Sequence, residues 1–187
     1  MARALVLVLL LFIGCTSTTN APVAKTCDAA CKDQIALRSL RDGLKHAFNV
    51  TFQGMPVGMY DITIDPKLLP LGGTARVFGT ATSNPDQGAT NVHITYVFDH
   101  VGIAQKDDNV EQTYHMTLSG TVTEDGVIAV QPSSTTALGI KGASVTFSGT
   151  VYDPPLDYEE MACAITIQQD GGRLNGTMCG RDVGLTL

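Results

Sequence analysis

The chain has 187 residues, a net charge of −6, 44% hydrophobic residues and only 16% charged ones. That acidic balance excludes nucleic-acid binding, which needs lysines and arginines to displace counterions from phosphate. Aromatic residues are only 6% and Trp is absent, so Val, Ile, Leu, Phe and Met must build the core; a low charge content with frequent Gly and Thr is the profile of a secreted β protein.

Arg3 is followed by an unbroken apolar run from Ala4 to Ile13. A charged start and a short apolar core make a secretory signal, and the run falls well short of the roughly 20 residues a spanning helix needs. Phe12-Ile13-Gly14-Cys15 follows, and it resembles the lipobox of bacterial lipoproteins, with Phe12 standing where that family usually has Leu. The resemblance covers only the first 15 residues. It implies a signal peptide over 1–14, palmitate or another acyl chain on Cys15, and a membrane held through that anchor. Thr16 after the cysteine, in place of Asp, implies the outer membrane of the cell envelope. Cleavage near Ala21, leaving a soluble protein, is the alternative. Residues 15–26 then form the lipidated Cys and a polar tether without periodicity. Residues 27–187 form one domain of ordinary size.

Setting Cys15 aside leaves Cys27, Cys31, Cys163 and Cys179, an even number that suits two disulfides in an oxidising compartment. Cys163 and Cys179 lie symmetrically about Gly171, the middle of an Asp170-Gly171-Gly172 turn, which puts them opposite each other in a hairpin. Cys27 and Cys31 then pair by elimination, about one helical turn apart. Two long-range bridges tying helix to hairpin are the alternative. Zinc is disfavoured because paired Cys-x-x-Cys units are missing.

Asp28 to Ala47 reads as a helix, with Ile35, Leu37, Leu40, Leu44 and Ala47 on one face and Asp28 either as its N-cap or in its first turn. From there the period changes to two. Phe48–Phe52, Tyr60–Ile64, Val92–Phe98, Tyr114–Val122, Val145–Val151 and Ile165–Ile167 all alternate. Turn signals separate them at Gly54–Gly58, Leu71-Gly72-Gly73, Ser83–Asp86, Glu124-Asp125-Gly126 and Asp170-Gly171-Gly172. The expectation is a mainly β protein, an antiparallel β-barrel or β-sandwich of about nine to ten strands with one N-terminal helix. Gly-Thr recurs inside four strands at Gly79, Gly120, Gly149 and Gly176, which suggests a sheet curled at matching points. In style the domain resembles small β-rich envelope lipoproteins.

Catalytic signatures are missing: there is no Gly-x-Ser-x-Gly elbow, His-Glu-x-x-His helix, P-loop or dinucleotide fingerprint. Neither a catalytic set nor a metal site nor a cofactor is therefore expected. Alternation puts His93 and His115 on the polar faces of consecutive strands, where surface histidines outweigh ligands. The acidic stretch Asp153–Glu160 reads as a solvated loop. The leading expectation is a non-enzymatic binding or structural lipoprotein, its partner an envelope protein or a small apolar ligand. The alternatives are a lipocalin-like carrier of an apolar ligand, and an enzyme or enzyme inhibitor working through a loop near Tyr158 to Glu160.

Overall fold

A computed structural model describes residues 28–52, 58–69, 71–84, 88–107, 112–129, 136–151 and 156–187. The expected signal, Cys15, the tether and Cys27 lie outside the described residues. Helix α1 spans Ala29–Phe52. Of the two places open to Asp28 it takes the N-cap, its Oδ1 accepting the Cys31 backbone N–H at 2.9 Å. The stripe Ile35, Leu37, Leu40, Leu44 and Ala47 is buried throughout.

The helix runs five residues past its expected end and takes in Phe48–Phe52, which alternation had placed in a strand. Five residues are too few to separate a period of two from a spacing of four. Packing decides for the helix: the Phe48 and Phe52 rings meet tilted, at 5.2 Å between centroids, and Phe52 meets Tyr60 edge-on at 5.1 Å.

Eight strands follow among the described residues: β1 Gly58–Thr63, β2 Thr74–Asn84, β3 Ala89–Asp107, β4 Gln112–Ala129, β5 Ala137–Val151, β6 Leu156–Asp170, β7 Arg173–Met178 and β8 Arg181–Thr186. They form one antiparallel sheet, each strand paired with its chain neighbour from β1 to β8. Among the described residues β1 and β8 do not pair, so the sheet is open. It is one layer rather than a sandwich, and it does not close as a barrel. The strand number falls below nine because β3 and β4 are long, at 19 and 18 residues. Glu124-Asp125-Gly126, expected as a turn, lies inside β4, where Glu124 faces Ile94 of β3 and Ile140 of β5.

The sheet curls around α1. The helix touches β2, β3 and β4 and also β8. In a flat sheet β2 and β8 would stand about 29 Å apart, whereas a helix is only about 10–12 Å thick. Inward-facing Val77, Ile94, Tyr96, Met116, Leu118, Phe147, Ile167 and Leu174 complete the core around it.

The Gly-Thr positions explain part of the curl. Gly79, Gly120, Gly149 and Gly176 stand opposite Ile94, Val145, Met116 and Ile167, so a missing side chain alternates with a large one. At Gly79 φ is +135° and a Cβ would meet the His93 carbonyl oxygen at 2.1 Å; Gly176 has φ +152° and the same clearance from Thr166. We expect Gly79→Ala to cost about 3 kcal/mol or more in urea unfolding, since both the backbone and the neighbouring strand must shift. Gly172→Ala, with nothing within 4 Å of the new Cβ, should cost less than about 1 kcal/mol. Equal costs at the two sites would rule out close strand approach as the role of Gly79.

Candidate functional site

A cavity of about 360 Å³ lies between the C-terminal half of α1 and the inner faces of β3 to β6. The helix contributes Arg41, Leu44, Lys45, Phe48 and Asn49, which share one face by their spacing of three and four. The sheet contributes apolar wall from Ile128, Leu138 and Ile140, with Thr90, Thr136 and Gln169 as hydrogen-bonding groups. Exposure orders these residues by depth. Lys45 is exposed and Arg41 intermediate, whereas Glu124 is only 6% exposed.

Glu124 is the unusual group. Its inward position continues the alternation of β4 through Leu118 and Val122. Tyr96 Oη donates to its Oε2 at 2.7 Å, and no cation is hydrogen-bonded to it among the described residues. Burial raises the carboxyl from its ordinary 4.5 to about 7, against the lowering effect of the Tyr96 hydrogen bond. The same burial, with the carboxyl charge beside it, raises the Tyr96 phenol well above its ordinary value.

Two other buried tyrosines also donate to carboxylates. Tyr114 Oη meets Asp42 at 3.0 Å and Tyr158 Oη meets Asp33 at 3.4 Å. Asp33, on the first turns of α1, also receives Arg181 through two nitrogens at 2.7 Å each, and Arg181 reaches Glu160 at 2.8 Å. This bidentate grip holds the Arg181 guanidinium well above its ordinary value, Asp33 and Glu160 acting in that order. Burial, then the charges of Asp33 and Glu160, raise Tyr158. The cluster ties helix to β6 and β8 and is structural.

Cys163 and Cys179 form a disulfide with Cα atoms 4.5 Å apart. The hairpin is centred between Gly171 and Gly172, half a residue from the expected centre, so the Cys179 N–H bonds Ala164 and the bridge runs diagonally. Cys31 is also disulfide-bonded, and the bond just described leaves neither Cys163 nor Cys179 as its partner. Cys15 and Cys27 lie outside the described residues. His93 and His115 do not meet. The β3–β4 register pairs His93 with Asp125, whose Oδ2 lies 2.9 Å from its Nδ1, and pairs His115 with Ala104. Of the expected acidic loop, Asp157 to Glu160 belong to β6, while Asp153 to Pro155 lie outside the described residues. Glu124 was missed because Glu-Asp-Gly carries a turn signal; continuing the inward parity of β4 would have found it.

No protein-family model matches the chain, and neither a curated protein nor a solved structure is significantly similar to it. Function must therefore be argued from the site.

Two outcomes follow from the buried carboxyls. Folded Glu124 keeps its proton at pH values where the unfolded chain has lost it, so its effect on stability is neutral below pH 4.5 and increasingly unfavourable up to about 7. The full cost above that is about 3 kcal/mol. Glu124→Gln keeps an acceptor for Tyr96 and cannot ionise, so its stability advantage over the natural chain should grow between pH 5 and 8. Parallel unfolding midpoints over that range would refute the assignment. Arg181→Ala leaves Asp33 buried with Tyr158 as its remaining side-chain donor, and should cost about 2 kcal/mol or more in the same assay; a change within 0.5 kcal/mol, roughly the size of ordinary surface substitutions, would show that the pair holds nothing.

Proposed function

We propose that this chain is a lipid-anchored protein of the bacterial envelope, held on the outer membrane through acylated Cys15, with a non-enzymatic binding domain. The anchor reading is supported by the charged start, the short apolar run and Phe12-Ile13-Gly14-Cys15. More than one acyl chain holds a protein stably, at about 0.8 kcal/mol per buried methylene. A second bridge, Cys27–Cys31, belongs to the same reading, supported by the bonded state of Cys31.

The cavity beneath α1 carries the binding half. Its volume falls within the range of about 300–1,000 Å³ typical of small-molecule sites. Turnover calls for a nucleophile and a base within hydrogen-bond reach. The described lining offers instead amides, hydroxyls, two cations and one carboxyl already engaged by Tyr96, a set suited to recognition. The carrier reading is favoured in altered form: α1 occupies the space a lipocalin-like lumen would need, and a cavity remains beside its C-terminal half. Loop-based enzyme or inhibitor chemistry is disfavoured, because Tyr158 and Glu160 are drawn into the Arg181 cluster.

Replacing Cys15 by Ser and fractionating cells tests the anchor. The protein should move from the membrane to the soluble extracytoplasmic fraction, and a variant that stays with the membrane would refute lipid anchoring.

A further inference from the structure

We propose that the cavity beneath α1 takes a single-chain amphiphile with one anionic head, of the class of a medium-chain carboxylic acid, with its head at Arg41 and Lys45 and its chain among Phe48, Leu138 and Ile140. This rests on the binding reading above and names the ligand class for it.

Three observations select that class. The first is the polarity gradient. Arg41 and Lys45 stand one helical turn apart at the solvent side, in a chain whose net charge is −6. Arg41 contacts its neighbour Asp42 through one nitrogen at 3.3 Å, which leaves the remaining guanidinium donors for a head group. The second is the wall. Leu44, Phe48, Ile128, Leu138 and Ile140 are all carbon at their ends, and a chain that leaves water for such a wall is bound by the hydrophobic effect. The third is size. An apolar cavity of about 150 Å³ holds benzene, so about 360 Å³ suits a chain of about ten carbons.

The closed end agrees. Glu124 is the titratable group there, hydrogen-bonded by Tyr96 from β3, while the two cations of α1 line the same cavity nearer solvent. Burial raises its pKa to about 7, so under mildly acid conditions the group is mostly protonated and uncharged. A head group carrying positive charge would meet Arg41 and Lys45 on entry. A negative one is drawn to them, and its chain then points inward.

The test uses the whole chain at pH 6 and a decanoic acid bearing a diazirine near its chain end. After irradiation, peptides are mapped by mass spectrometry. Label is expected on 41–49 and on 124–140, displaced by excess decanoate. The double variant Arg41→Gln, Lys45→Gln, checked for an unchanged circular dichroism spectrum, should need at least tenfold more decanoate for the same displacement. Decanol should compete equally in both proteins. If decanol competes as well as decanoate and the double variant changes nothing, head-group recognition is refuted while the binding reading stands. Decylammonium competing better than decanoate also overturns the proposal, by reversing the charge of the ligand. Absence of saturable label in the cavity refutes both this inference and the binding half of the function, without touching the anchor, which is read separately by fractionation.

Discussion

A sheet with one apolar face must cover it, and this sheet does not do so by closing on itself. Its eight strands follow one another as a meander whose edges, β1 and β8, stay apart among the described residues. The cover is α1. Its stripe of Ile35, Leu37, Leu40 and Leu44 is at most 1% exposed, and each such side chain contributes about 1.5–3 kcal/mol by leaving water. The sheet can reach around a cylinder of that width only where its strands approach closely and bend. That is why inward-facing glycines stand opposite Ile94, Val145, Met116 and Ile167. Helix and curl therefore depend on each other. Without the helix the concave face is wet, and without the glycines the strands cannot wrap it.

Enclosing a helix has a polar consequence. Asp33 and Asp42 of α1 point toward the sheet, and a buried carboxylate is costly unless it is bonded. Sheet tyrosines answer both, and Arg181 adds a charge partner to Asp33. Glu124 comes from the sheet side and, among the described residues, has the tyrosine but no bonded cation. The difference separates two kinds of site in one core. Where cation and carboxylate meet, charge-assisted hydrogen bonds brace the fold. Where the cation is missing, burial wins and the carboxyl titrates near neutrality. Glu124, of the second kind, lines the cavity of about 360 Å³.

The strand faces were legible because a period of two survives in any half-buried strand. Val92, Ile94, Tyr96 and Phe98 are all inward, as are Tyr114, Met116, Leu118 and Val122. Closure was not legible, since it depends on whether the edges of the sheet meet, and that is set by the curl accumulated over all strands. Local signals also lost to distant ones. Glu124-Asp125-Gly126 has turn chemistry, yet pairing on both sides with Ile94 and Ile140 keeps it extended. Phe48–Phe52 alternates, yet contact with Tyr60 keeps it helical. The cavity inherits both surprises, because Phe48 and Glu124 each line it. Its two least readable segments are thus the ones that make the site, as expected where local preference yields to tertiary packing.

The braces and the cavity occupy different parts of the helix. The Arg181 cluster and the Cys163–Cys179 bond gather at its first turns, around Asp33, Glu160 and the β7–β8 turn. Lys45 lies about 18 Å further along the axis. On the proposed anchoring, the tether joins the domain at the braced end. Force transmitted from the membrane then meets ion pairs and a covalent bond first. The cavity end is held by apolar contacts and single hydrogen bonds, such as Tyr114 to Asp42 and His46 to the Leu68 carbonyl, which adjust to an inserted chain at smaller cost than a bidentate ion pair could. If the proposed anchor and ligand hold, one helix joins a braced anchored end to a more adaptable binding end, as an exposed carrier of an amphiphile would need.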